Sequence, residues 1–308
     1  MSQNIPENAM ISIHDQPVGW ASVEGGTTGG GTDLSKSITV DNIDDLNDAI
    51  KDNNYKIILV KPGKYDGEIN LKSNITIIGI APGVKISGGI KINGEKNVII
   101  RNLAIRGKEG DSWRDAIRIG DGSHHVWIDH VKVSDGNDGN LDIIDRSDFI
   151  TISWCKFYYT YEKEHRFSNL ISSSDNNTDD RGKLNITYMF CKWGKLVKER
   201  QPRGRFGKIH MLNNYHNNDG DIHGVGKEMA LIAENSYYNT REDRPIFFSK
   251  GEHKGWKGNG NKGTGKKLND IEGSVFEIPY KYDKVSALKA KEMIQSEYGV
   301  GNTKYFVI

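Results

Sequence analysis

Short apolar, β-prone segments recur along the chain, separated by polar stretches and glycine. The clearest are NITIIG (74–79), NVIIRN (97–102), HVWIDH (125–130), FITISW (149–154), NITYMFC (185–191), KIHMLNN (208–214) and MALIAEN (229–235), opened by IILV (57–60). The position held by Gly79, Asn102, His130, Trp154, Cys191, Asn214 and Asn235 returns at spacings of 23, 28, 24, 37, 23 and 21 residues. Strands of a sandwich recur at about 8–12 residues. Periods of roughly 20–50 residues instead signal a solenoid whose repeats bury their faces on one another. The pattern predicts an all-β solenoid, a parallel β-helix, with rows of Ile and Val filling its interior. Asn102, Asn214 and Asn235 are expected to stack at one turn and to bond along the axis. By the same repeat His130 takes an interior or turn role, and Trp127 and Trp154 pack.

Helical periodicity enters twice. DNIDDLNDAIKDN (41–53) places Ile43, Leu46, Ala49 and Ile50 on one side with Asp41 as cap, which suits a short helix closing the amino-terminal end. VSALKAKEMIQSE (285–297) reads as a second helix packed back on the solenoid. The excess over one coil marks loops. YYTYEKEH (158–165) lies in the longest step and GKEGDSWRDAIR (107–118) in the next, and long loops on a rigid solenoid are where function concentrates. The glycine-rich stretches 19–33 and 251–267 read as a surface loop and a mobile loop. No second core follows a linker, so residues 1–308 are expected to form one domain.

Composition narrows the picture. The 308 residues carry 42 Lys and Arg against 41 Asp and Glu, a net charge of +1, which argues against a nucleic-acid or membrane-surface partner. A mean hydropathy of −0.62, 35 glycines and only 7 prolines suit many short strands and tight turns. No apolar run approaches the ~18 residues of a membrane span. The first twenty residues lack a basic start and an apolar core, so they are no signal peptide; either the protein is cytoplasmic or a leader has been removed. Cys155 and Cys191 fall in equivalent places of two repeats and are expected to be free buried thiols.

Two clusters carry candidate chemistry. ERQPRGRFG (199–207) crowds Arg200, Arg203 and Arg205 together. In an extended segment Arg203 and Arg205 share a face, and Pro202 breaks the alternation so that a turn brings Arg200 beside Arg205. Guanidinium forks fit carboxylates, so the natural partner is an acidic ligand; a solvated basic edge is the plain alternative. DGNLD (138–142) sets Asp138 and Asp142 before a strand, with Gly139 allowing a sharp turn, and Asp115 opens the strand one coil earlier. Adjacent coils lie about 4.8 Å apart, so three carboxylates meet and repel unless a cation joins them. Ca²⁺, which takes oxygen ligands in flexible geometry, is the natural one. Turn caps and solvated acids are the plain alternative here.

Together HVWIDH, DGNLDIIDRSDFITISWCKF (138–157), SSSD (172–175) and RQPRGRFGKIHMLNNYH (200–216) resemble the pectate lyases of polysaccharide lyase family 1, over roughly residues 70–240. The GW…GGTTGGG start is also typical. The resemblance implies a right-handed parallel β-helix that cleaves polygalacturonate by Ca²⁺-dependent β-elimination, releasing 4,5-unsaturated products. It further implies a secreted protein, and we expect a monomer. Carried over by position, Asp115, Asp138 and Asp142 match calcium ligands and Arg200 the base. Arg205 and Lys163 match substrate-binding residues, with Arg203 beside them. Trp113 stands where some members carry a further acidic ligand. The rival readings are a β-helical glycoside hydrolase, which needs a protonated carboxyl opposite a second carboxylate, and a solenoid that binds acidic sugar without cutting it.

Overall fold

A computed structural model describes residues 5–108, 110 and 114–307. Trp113 lies outside them. The chain winds as a parallel β-solenoid in which successive coils feed three sheets of eleven, nine and eight strands. Inner residues stack in register from coil to coil: Ile75, Val98, Val126, Ile150, Ile186, Ile209 and Leu231 form one continuous row. All are buried in a single core cluster that runs from Val40 to Trp256. Sliding any one strand by one residue would turn all its inward side chains outward, so burial fixes the register.

The recurring turn position is shifted by one residue in two coils. Asn102, His130, Trp154, Phe190, Asn213 and Asn235 share a positive φ of 47–57°, so the equivalents of Trp154 are Phe190 and Asn213, not Cys191 and Asn214. Side chains at this position leave the core. His130 stacks on Trp154 at 5.6 Å and Trp154 on Phe190 at 4.4 Å. The next residue points inward, where Cys155 and Cys191 lie as free buried thiols. Of the three asparagines expected to stack, only Asn214 takes this inward place: its Oδ1 accepts from the Cys191 N–H at 2.8 Å, and two coils on Asn261 Oδ1 accepts from the Ser236 N–H at 2.9 Å. Asn102 is at the positive-φ position and donates to the Gly79 and Lys304 carbonyls. Asn213 and Asn235 instead donate to the Val285 carbonyl, tying down the carboxy-terminal segment.

Helix α1 (Ile43–Lys51) is capped by Asn42, whose Oδ1 accepts from the Asp45 N–H, rather than by Asp41. Its Leu46, Ala49 and Ile50 join the core. Helix α2 (Ala287–Gln295) packs Ala290 and Ile294 against Phe190 and Tyr215. No described helix is long and apolar enough to cross a membrane.

Two glycine-rich stretches are more ordered than composition suggests. Residues 19–31 form a strap on the outer face of the eleven-stranded sheet. The Trp20 and Ala21 N–H groups donate to the hydroxyls of Thr187 and Thr151, each at 3.0 Å, and Gly30 to that of Thr76 at 2.9 Å. A Cβ on Gly29 would stand 2.2 Å from Thr76 Oγ1, so the close approach itself requires glycine. Residues 251–267 contain one more coil, since Gly255–Asn259 and Lys262–Gly263 pair with the strands before them. With glycine where other coils carry Ile or Val, its strand pattern is masked.

Candidate active site

Each coil passes from the nine-stranded to the eight-stranded sheet through a polar loop, and four successive loops build the site. Asp115 precedes the strand Ile117–Gly120. In the next coil Asp138 lies in the loop. Asp142 stands between the inward Leu141 and Ile143, so strand alternation turns its carboxylate outward. One carboxylate oxygen from each of Asp115, Asp138 and Asp142 lies within 4.8 Å of the others. The loops are clamped together: the Ala116 N–H donates to the Gly139 carbonyl at 3.0 Å and the Asn137 N–H to the Arg114 carbonyl at 2.9 Å.

Gly139 does not serve a positive-φ turn; it serves space. A Cβ there would stand 2.6 Å from Asp142 Oδ1 and 3.1 Å from Asp115 Oδ1. Burial pushes the Asp142 carboxyl up to about 7, opposed by Arg200 and by the Leu170 N–H, which donates to Oδ1 at 3.2 Å, and reinforced by Asp138. Asp115 is raised well above the usual range, by burial first and then by Asp142 and Asp138. Its Oδ1 is buried without a hydrogen-bond partner. These all-oxygen donors and their mutual repulsion fit a hard cation.

Arg200 faces this cluster. It has a left-handed backbone (φ 63°), and its carbonyl accepts from the Asn169 N–H at 2.7 Å. Its guanidinium lies 4.5 Å over the Phe167 ring, and its Nε and Nη1 are buried without partners. Buried Gln201 fixes the segment by bonding Asn218 and the Asp221 carbonyl. Arg203 emerges from the eight-stranded sheet beside Leu170 and Gly224. Its guanidinium is held below the usual arginine range, by burial first and then by Arg205 and Arg200. Arg205 pairs with Asp175 of the SSSD stretch and donates to the Ser172 carbonyl at 3.0 Å.

Lys163 comes from the long loop between Lys156–Tyr158 and Asn169–Ile171. Its Nζ donates to the Gly136 carbonyl at 2.6 Å and lies 5.1 Å over Tyr159. Tyr159 is buried, with its hydroxyl donating to the Phe167 carbonyl at 2.6 Å, so it supports the loop from beneath and does not line a groove. Two clefts flank the cluster. One of about 360 Å³ is lined by Glu68, Lys91, Arg114, Asp115 and Arg118; one of about 690 Å³ by Arg166, Lys198, Glu199, Asp221 and Arg244.

The family model described as pectate lyase matches residues 7–303, nearly the whole chain. The chain belongs to the pectate lyase family. Pectate lyase E of Dickeya chrysanthemi is 37% identical over 295 residues, covering 77% of this chain and 74% of that protein. Pectate lyase plyB of Emericella nidulans is 33% identical, covering 94% and 89%. A solved pectate lyase of Bacillus subtilis superposes with a TM-score of 0.82 at 21% identity, over 94% of this chain and 99% of that one. A Bacillus pectate lyase in complex with trigalacturonate does so at 0.74 and 25% identity, over 93% and 99%. As a pectate lyase the chain is an enzyme of the lyase class. Gly139 stands out in the sequence as a turn residue, whereas its part is the space it leaves beside Asp142 and Asp115; Phe167 and Gln201 leave no sequence signal, because they support other groups and carry no reactive chemistry.

Proposed function

We propose that this pectate lyase cleaves polygalacturonate by calcium-dependent β-elimination, as a secreted monomer. The observation that carries the reading is the convergence of three carboxylates, one with an unpartnered buried oxygen, on an arginine whose Nε and Nη1 are likewise unpartnered. Asp115, Asp138 and Asp142 would hold the ion. When bound, calcium supplies a Lewis acid that draws charge from the uronate carboxylate.

The residues of the chain supply the rest. Lys163, Arg203 and Arg205 orient the anionic sugars through charge-assisted hydrogen bonds. Arg200 receives the proton from C5, α to the carboxylate; the C–H electron pair becomes the C4–C5 double bond, and the C4–O bond breaks with a proton taken up from water. Arginine is a demanding base because its neutral form is scarce, so the reaction suits alkaline solution. Polygalacturonate and methylated pectin, each with and without calcium, test the reading. Ultraviolet absorbance should rise with polygalacturonate and calcium, and vanish with chelator. New reducing ends without that absorbance would mean hydrolysis.

The space beside Gly139 gives a second test. Gly139→Ala should weaken calcium binding by roughly 10–100-fold, as for other groups that orient metal ligands. Calorimetric titration at unchanged thermal stability reads this directly. Unaltered affinity would place the ion elsewhere.

A further inference from the structure

The outer face of the nine-stranded sheet carries a row that the reaction above does not use. Lys64, Lys85, Ala104, Lys132, Lys156 and Lys192 are direct neighbours on six consecutive parallel strands. At about 4.8 Å per strand the row is roughly 24 Å long. None of the five lysines is paired with a carboxylate among the described residues. Lys64 and Lys85 are exposed, while Lys132, Lys156 and Lys192 keep half-buried stems, Lys132 lying against Gly301.

Like charges directly opposite on a sheet are destabilising. Burial and the neighbouring lysines hold the Lys132 ammonium below its ordinary range, and Lys156 likewise. Lysines can protect sheet edges, but Lys85, Lys132, Lys156 and Lys192 lie on interior strands. In a chain of net charge +1 such a row is a local concentration of charge, not a general excess.

The small Ala104 opens the row. Above it lies a cleft of about 690 Å³ lined by Lys64, Lys85, Lys132, Arg106 and Tyr158. The acids nearby are Asp66, one row over, and Asp135, which is already engaged by Arg106 at 3.0 Å and by Thr160. Asp135 precedes Gly136, whose carbonyl anchors Lys163, so this face adjoins the catalytic loops.

We propose that the lysine row is a second, non-catalytic binding site for a linear polyuronate, holding the polymer on the enzyme beside the cleavage groove. A regular rank of ammonium groups fits a chain bearing one carboxylate per sugar. The rings beside the lysines are covered: half-buried Tyr158 lies under the Lys156 ammonium at 4.7 Å and buried Tyr215 under that of Lys192 at 5.3 Å, which disfavours single-stranded nucleic acid, whose bases need open stacking platforms. The identity of the polymer rests on the proposed function; the site itself does not.

Native electrophoresis through polygalacturonate in chelator reads binding without turnover. The wild type should be retarded, and less so as salt rises. Lys85→Glu/Lys156→Glu should weaken retardation by roughly tenfold or more, and the milder Lys85→Gln/Lys156→Gln in the same direction, with unchanged thermal unfolding. On trigalacturonate, too short to reach both sites, kcat/KM should stay within about twofold, whereas KM for the polymer rises. Equal retardation of folded variants and wild type would overturn the proposal, as would stronger wild-type retardation by single-stranded DNA than by polygalacturonate. A protein retarded through its lysines that never cleaves the polymer would instead sink the functional reading alone.

Discussion

Replacing Arg200 by lysine should lower kcat on polygalacturonate by roughly 10²–10⁴-fold, the range of a lost general base, with little change in thermal stability. The substitution keeps a positive charge near Asp142 and Asp115, whose ionisation Arg200 favours. What it removes is the planar fork lying over Phe167 with Nε and Nη1 free of internal partners. Lysine is a compact point charge and does not reproduce that fork. Neither neighbouring arginine is placed to substitute, because Arg205 is engaged by Asp175 and Arg203 emerges between Leu170 and Gly224. If the variant kept most of its activity and the same pH profile, Arg200 would not be the base.

Much of this site was legible because a solenoid turns distance along the chain into distance in space. Asp115 and Asp142 are separated by one coil, so knowing the period was enough to bring them together. Arg200 was legible as chemistry, but its conformation was not: its left-handed backbone depends on partners in two neighbouring coils. The turn register slipped at Cys191 and Asn214 because the asparagine pair at 213 and 214 serves both roles, one facing out to Val285 and one facing in to Cys191. The coil at 255–263 went unread because glycine replaces the β-branched residues that signal a strand. Lys64, Lys85, Lys132, Lys156 and Lys192 look like scattered surface charge until strand pairing aligns them.

Asp142→Asn should abolish calcium-dependent activity and also change how stability responds to pH. The folded protein holds the Asp142 proton up to about pH 7, whereas the unfolded chain releases it near 3.8. Between these values the folded state binds more protons than the unfolded one, so calcium-free stability falls as pH rises through the window. Asp115, raised for the same reasons, acts in the same sense. The penalty from Asp142 is on the order of 4 kcal/mol at most when fully developed. Asparagine is neutral throughout and removes it, so in chelator the variant should unfold several degrees higher than wild type at pH 8 and nearly level with it at pH 4. Buried His216 and His223, held below the usual histidine range by burial, impose an opposite slope in acid. They are present in both proteins and cancel in the comparison. Saturating calcium should reverse the wild-type trend, because the ion binds the deprotonated carboxylates and stabilises the fold more as pH rises. The two wild-type curves, with and without calcium, should therefore diverge towards alkaline pH while those of Asp142→Asn stay together. Parallel curves for the two proteins under both conditions would mean that Asp142 neither carries the buried charge nor holds the ion.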